Sequence, residues 1–496
     1  MRTHNSPELD EPARAPEKAG WIRSRLPAGW LISAAALCVL LMWLSPTRET
    51  VGISAIALVL VLMLMKLPIA FALAIPGLLG IFMISGPRAA VNTLSSLPFS
   101  SVSQWSLSVL PMFILMGTLL GASGIIGRVY HAARLWLGWL PGGLAVGTNV
   151  AGGSLAAVSG STIAISHALG RVGVPEMLRR QYDPKFAIGS VIVAGLPGQL
   201  IPPSTFLIIV AGVLGTAVGP QLIAGFLPGV GLVLFACVSI VIYAIIFPRW
   251  AGRTPEQRAE AGEEHHSTAE RVKSLGGVWP VVALFAVVFG GIFGGVVTAT
   301  EAGSLGAFIA LLLILFYKRG DRPWSHILRA SSQTVVSTGA IFFVLLGAQV
   351  LTQMVAVTGI GAAFSGIVTG ADLGRVEFLL VVVVMYIILG MFMDPLAILL
   401  LTLPILQPTF AGLGVDPLWF GVFAVLMGEL AILTPPVGLL TFIMHKLMQD
   451  EEITLGRQVS LKDVFIAVSL FFPAILLVVV VIIFVPGLVT WLPGIM

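Results

Sequence analysis

Charge is what this chain has least of. Asp, Glu, Lys and Arg make up 10% of its 496 residues, while 57% are hydrophobic. Soluble domains carry roughly 25% charged residues, so a soluble fold is excluded. Long apolar runs recur from Trp30 to Trp491, as in a polytopic helical membrane protein whose main solvent is the lipid bilayer. The alternating segments of about ten residues that build a transmembrane β-barrel are missing. Cysteine is scarce too. Cys38 and Cys237 both sit in apolar runs, without a CxxC or a ligand cluster, and read as buried structural thiols. There is no HExxH, no P-loop and no GxSxG in context, which argues against an enzyme and against self-powered pumping. The net charge of +4 does not point to nucleic acid, because the basic residues sit in connecting loops.

What is present is a pair of prolines, twice. Gly195-Leu-Pro-Gly-Gln-Leu-Ile-Pro-Pro-Ser204 and Gly428-Glu-Leu-Ala-Ile-Leu-Thr-Pro-Pro-Val437 each lie inside an apolar segment of membrane length. Proline removes a backbone donor and clashes with the preceding turn, so each helix must break within the bilayer. Broken backbone at that depth is tolerated only where it is buried in protein or lines a watery cavity. Paired breaks in two halves of a chain mark the substrate and ion sites of secondary transporters.

Loop charges set the expected topology. Arg14, Lys18, Arg23 and Arg25 put the N-terminus in the cytoplasm, after a polar tail over 1–27. A retained membrane helix is expected over 28–46; its apolar run resembles a signal-peptide core but lacks a small-residue cleavage site. Counting spans places Lys66, Arg128, Arg134, Arg171, Arg179, Arg180 and Lys185 on the cytoplasmic side, with the turns Lys318–Arg329 and His445–Lys462. The count closes only if two apolar stretches dip in and return as helical hairpins, one over 145–178 and one over 376–412. Their weak centres are Ser159-Gly-Ser-Thr162 and Gly390-Met-Phe-Met-Asp-Pro395. Two ordinary spans per stretch are the alternative.

The halves repeat. Asp416 lies 233 positions after Asp183, and the same shift joins Gly195 to Gly428 and Pro202 to Pro435. Upstream, Gly117…Ser123-Gly124-Ile125 resembles Gly347…Thr358-Gly359-Ile360. The first repeat is expected over 51–248, with its broken helix at 186–212. A cytoplasmic linker follows at 249–274, and its pair His265-His266 reads as solvated rather than metal-binding. The second repeat covers 275–496, with a broken helix at 417–444 and a last helix at 464–486. One hairpin opens inward and the other outward, so the repeats are inverted in the membrane.

These residues resemble the large membrane subunit, the DctM-type permease, of the tripartite ATP-independent periplasmic (TRAP) transporters. The resemblance covers about 53–496. It is carried by Pro111-Met-Phe-Ile-Leu-Met-Gly117, Leu140-Pro-Gly-Gly143, Ser159-Gly-Ser161, Leu169-Gly-Arg171 with Pro175-Glu-Met177, Leu200-Ile-Pro-Pro-Ser204, Thr298-Ala-Thr-Glu-Ala302, Gly390-Met-Phe-Met-Asp-Pro395 and Leu433-Thr-Pro-Pro-Val-Gly438. It implies an elevator-type transporter in the bacterial inner membrane, with Na+ as coupling ion and no other cofactor. It implies uptake of a small organic acid anion, such as a C4-dicarboxylate, delivered by a periplasmic substrate-binding protein (DctP-type). A small four-helix membrane subunit (DctQ-type) would stand beside this one. A one-component sodium- or proton-coupled carrier or antiporter of the same broad superfamily is the alternative. The chain departs from the family pattern at Ala299, where proline is usual, and at Gly428, where asparagine is. It also departs at Pro197 and Gln199, which replace apolar residues, and at His167, which replaces a small one.

Sodium is a hard cation suited to oxygen ligands, by analogy with calcium and magnesium, and broken helices supply carbonyls. One ion is expected among Ser159, Gly160, Ser161, Gly195, Gly198 and Pro202. A second, by symmetry, is expected among Gly390, Met391, Met393, Gly428, Thr434 and Pro435. The anion should meet half-helix N-termini, where Ser161, Thr162, Ser204 and Thr205 stand beside Gln199. Glu301, Asp394 and Glu429 are acids in apolar surroundings. Glu301 and Asp394 join the substrate-binding candidates, although each also suits a helix cap. No arginine lies in the hairpin tips. His167, on an apolar hairpin face, reads as a core histidine.

Overall fold

The computed structural model describes residues 28–45, 47–254, 267–435 and 438–496, and all its regular elements there are helical. The N-terminal basic cluster, the pair His265-His266 and Pro436 lie outside the described residues. The helices, in chain order, are α1 Ala28–Leu44, α2 Arg48–Leu64, α3 Ile69–Val102, α4 Val109–Ala122 and α5 Ile125–Leu137. The first hairpin is α6 Gly143–Ser159 and α7 Thr162–Arg179; α8 Pro184–Gly195 and α9 Thr205–Leu214 are the halves of the first broken helix. Then come α10 Val218–Ile246, α11 Thr268–Leu275, α12 Trp279–Phe293, α13 Ala299–Tyr317, α14 Pro323–Thr358 and α15 Ile360–Gly370. The second hairpin is α16 Arg375–Gly390 and α17 Pro395–Leu406, followed by α18 Pro417–Ala431, α19 Leu439–Leu447 and α20 Leu461–Phe484.

Among the described residues six helices are long and apolar enough to cross a membrane, and eight if each of two bent pairs is one span. Several expected spans are missing from that number for a physical reason. The broken helices are split into pieces too short to span, and α4 turns by 68° into α5. That bend sits at Gly124, whose φ of 79° is the left-handed conformation glycine adopts without penalty. Gly359 makes the matching left-handed junction between α14 and α15, with φ of 70°.

The repeat is visible in the caps. Asp183 accepts hydrogen bonds from the backbone N–H groups of Lys185 and Phe186, with Pro184 at the first helical position. Asp416 does the same for Leu418 and Trp419, with Pro417 following it. Both exploit a missing donor where none is needed. Packing follows the same two-fold relation. α3 lies along α14, and their counterparts α13 and α4 lie along each other. α8 packs on α20 as α18 packs on α10, and α7 on α19 as α17 on α9.

The two hairpins open at opposite ends of the molecule. The base of hairpin 1 adjoins the start of α8 and the segment after α19, where Arg457 Nη2 donates to Gln181 and Lys185 pairs with Asp463. The base of hairpin 2 adjoins the end of α9, where Gln407 Nε2 donates to the Leu214 carbonyl. A chain that enters α8 beside one base leaves α9 beside the other, so the repeats are inverted.

Between helices of a membrane protein, close backbone approach by small residues replaces the hydrophobic effect. A Cβ on Gly152 would stand 2.1 Å from the Ala194 carbonyl oxygen, one on Gly189 2.4 Å from that of Ala467, and one on Gly347 2.4 Å from that of Ala70. These contacts press α6 on α8, α8 on α20 and α14 on α3. Hairpin 1 is also held at its base, where Glu176 joins Arg134 of α5 at 2.5 Å and Arg179 at 3.7 Å.

One helix starts earlier than its sequence suggests. Residues 318–329 read as a cytoplasmic turn, yet α14 begins at Pro323, a residue preset for the first helical position. Arg329 therefore stands in the second turn of a helix rather than in a loop. His167 is exposed on α7 and is not a core histidine. Cys38 is buried and Cys237 half-buried, both as free thiols.

Candidate functional site

The tip of hairpin 1 rests on the first helix break. Gly160, left-handed at φ 58°, ends α6; Ser161 then caps α7 by accepting from the Ala164 N–H. Opposite, α8 gives way to a short 3-10 turn over Leu196–Gln199, and α9 restarts at Thr205. The two backbones touch. A Cβ at Gly160 would lie 2.3 Å from the Pro203 carbonyl oxygen, one at Gly198 2.9 Å from the Thr162 nitrogen, and one at Gly195 2.0 Å from Ser166 Oγ. Thr205 Oγ1 reaches toward the Gly160 carbonyl at 3.4 Å. Gly195 and Gly198 thus serve close packing, and Pro202, joined to Pro203 by a cis peptide, lies in the non-helical stretch between α8 and α9.

A cavity of about 630 Å³ opens in front of this tip. Its polar lining includes Ser159, Ser161, Gln199 and Thr205 on one side, and His326, Arg329, Gln333 and Ser337 of α14 on the other. Gly117, Thr118 and Gly121 of α4 form part of the wall. Behind it Thr118 and Thr334 share a hydroxyl contact of 3.0 Å that joins α4 to α14. His326 Nε2 stands 3.2 Å from Asp321 Oδ2, which also takes Lys318 Nζ at 2.9 Å. Hydrogen bonds to Lys318 and His326 hold the Asp321 carboxyl below the usual carboxylate range.

The proposed anion-binding residues separate into two groups. Ser161, Gln199 and Thr205 reach the cavity. Thr162 and Ser204 stand behind it, both buried. Ser204 caps α9 by accepting from the Leu207 N–H at 3.1 Å and donates to the Gln199 carbonyl. Thr162 Oγ1 donates to Glu429 Oε2 at 2.8 Å, a bond between hairpin 1 and the broken helix of the other repeat. Both hydroxyls are committed elsewhere and neither lines the cavity. For Ser204 the orphan N–H groups of its own helix decide where the hydroxyl points. Ser204→Ala is therefore expected to cost about 1 kcal/mol of stability, read as a lower melting temperature in detergent. An unmoved melting temperature with impaired uptake would return Ser204 to substrate contact.

Glu301 does not join the cavity. It closes a capping box with Thr298 at the exposed start of α13, accepting from the Thr298 N–H at 2.8 Å. Asp394 caps α17 by accepting from the Leu396 N–H at 2.9 Å, in the second hairpin.

At the second break, Gly390 presses on the end of α18, where its Cβ would lie 2.4 Å from Ala431 Cβ. Met391 and Met393 form the tip between α16 and Asp394. Gly428, expected at the break, is helical: its carbonyl accepts from the Ile432 N–H at 3.1 Å. The second break starts after Ala431, so it is displaced along the chain relative to the first. Thr434 Oγ1 donates back to the Leu430 carbonyl at 3.0 Å, and Pro435 follows in the turn. Glu429 is buried between the repeats.

Arg329, His326, Gln333 and Ser337 were not singled out from sequence. Their spacing along α14 puts them on one helical face, and that alignment was the available signal.

Two inverted repeats whose hairpin tips meet broken helices beside a polar cavity define a secondary transporter. The chain belongs to the family described as the tripartite ATP-independent periplasmic transporter, DctM component, which its residues 56–488 match. It is 31% identical over 372 residues to the C4-dicarboxylate TRAP transporter large permease protein DctM of Pseudomonas aeruginosa, covering 75% of this chain and 84% of that one. It is 29% identical over 366 residues to the ectoine TRAP transporter large permease protein TeaC of Halomonas elongata, covering 74% and 83%. In fold it is similar to the Alcanivorax borkumensis YdaH transporter, with a TM-score of 0.55 at 13% identity over 82% of this chain and 89% of that one.

Proposed function

We propose that this permease imports an organic acid anion across the bacterial inner membrane, driven by sodium and fed by a periplasmic substrate-binding protein. The observation that carries the reading is the cavity before hairpin 1, where Arg329 faces hydroxyl and amide donors across a helix break. Arginine offers a planar fork of donors matched to a carboxylate. The half-helix starts at Ser161 and Thr205 add polarity of the same sign.

TRAP large permeases work with a small membrane subunit and a periplasmic binding protein. For this chain we take the partners to be a DctQ-type four-helix subunit and a DctP-type binding protein. The relatives differ in substrate: one is named for C4-dicarboxylates, another for ectoine. Neither name transfers directly. The orientation follows the basic residues: Arg179, Arg180, Lys185, Arg457 and Lys462 cluster at the end where hairpin 1 opens, which we take as cytoplasmic. His326 and Arg329 stand near the same end, at the start of α14, so the cavity opens inward. Sodium would bind at the hairpin 1 tip (Ser159, Gly160, Ser161) against the first break, and around the hairpin 2 tip against Thr434 and Pro435. The hairpins and broken helices would slide against a scaffold of α3, α4, α13 and α14.

The test is uptake by proteoliposomes holding the large and small subunits. Uptake should require the added binding protein, and replacing sodium with choline should abolish it. Full uptake in choline refutes sodium coupling; uptake without binding protein favours the one-component carrier.

A further inference from the structure

The donor set of the cavity is more specific than its net polarity. Gln199 is 7% exposed and lines the cavity. Its Oε1 accepts from the Phe206 N–H at 3.3 Å and from Thr205 Oγ1 at 3.1 Å. The backbone N–H can only donate, so the atom it meets must be the amide oxygen, and this fixes the orientation of the amide. The amide nitrogen, with no protein partner among the described residues, is what Gln199 has left to offer. The side chain thereby relays the positive end of α9 into the cavity as a neutral donor.

Full charge is supplied once. Of the lining residues, Arg329 alone is permanently charged, and none is a carboxylate. His326 turns its Nε2 to Asp321 Oδ2, 3.2 Å away, an oxygen it shares with Lys318 Nζ. Two of the first N–H groups of α9 are already capped, by Ser204 Oγ and Gln199 Oε1. One carboxylate finds a guanidinium here. Among the lining side chains a second would find only neutral donors, and an uncompensated buried charge costs several kcal/mol.

We infer that the cavity selects an organic monocarboxylate whose far end carries a neutral oxygen acceptor, a hydroxyl or carbonyl, and that Gln199 determines this choice. The inference rests on the anion reading above. It separates this chain from dicarboxylate carriers without naming a metabolite.

A matched pair of probes tests it. Succinate and 4-hydroxybutyrate have the same carbon count and differ by one carboxylate against one hydroxymethyl group. Binding is read as thermal stabilisation of the purified full-length permease with its small subunit, at pH 8. The wild type should bind 4-hydroxybutyrate at least tenfold more tightly than succinate. Gln199→Glu, nearly isosteric, should weaken 4-hydroxybutyrate at least tenfold. Gln333→Lys, which adds a second cation one turn from Arg329 on an exposed position, should move the preference at least tenfold toward succinate. Equal or tighter binding of succinate by the wild type overturns the inference, as does an unchanged ratio in Gln333→Lys or unchanged binding in Gln199→Glu. Failure of the underlying reading looks different: neither probe binds the wild type, or Arg329→Ala binds both as the wild type does.

Discussion

Arg329→Ala is expected to reduce substrate uptake roughly tenfold to 150-fold. The figure follows from the value of a hydrogen bond to a charged group, about 1.5–3 kcal/mol, at 1.4 kcal/mol per tenfold. The site supports it: Arg329 is the permanent cation among the cavity-lining residues. Arg329→Lys should recover only part of the loss, because an ammonium keeps the charge but not the planar fork. The measurement is initial uptake rate against substrate concentration in proteoliposomes with the binding protein present. Wild-type kinetics in Arg329→Ala would move the anion site away from this cavity.

Gly160→Val is the second large effect. Its left-handed φ of 58° suits glycine, and any Cβ would collide with the Pro203 carbonyl oxygen at 2.3 Å. Backbone is on the other side of that contact, so nothing flexible can yield. The tip must lift from the break, and the oxygens gathered there disperse. On the sodium coupling proposed above, we expect uptake to fall more than tenfold, with the apparent sodium affinity reduced. The hairpin base, tied through Glu176 to Arg134 and Arg179, should stay folded. Gly127→Ala is the matched control, since a Cβ there meets nothing within 4 Å. Equal uptake by both variants would show that tip and break need not touch.

Local chemistry made much of the fold legible. The Asp-Pro caps, the double prolines and the glycine-broken tips each dictate backbone geometry within a few residues, and they recur at a constant shift. The pieces that sequence misplaced depend on tertiary arrangement. Arg329 became visible only when Pro323 started α14 early and α14 lay across α4, opposite the hairpin tip. Ser204 and Thr162 looked like anion donors because they stand at helix starts. One satisfies its own helix and the other reaches Glu429, a partner 267 positions away. Gly428 shares a register with Gly195, yet the second helix continues to Ala431 before it breaks. Sequence symmetry fixes which residues correspond, while packing decides where a helix lets go.

The bond from Thr162 to Glu429 has a mechanical consequence. Both residues are buried, at 2% and 1% exposure. A hairpin that swung out alone, like a flap, would strand a carboxylate with its hydroxyl partner removed, at about 1–3 kcal/mol or more. No such penalty arises if hairpin 1 and α18 travel together. The bond therefore ties a tip in one repeat to a broken helix in the other, so that a movement of hairpin 1 that keeps it must carry α18 along.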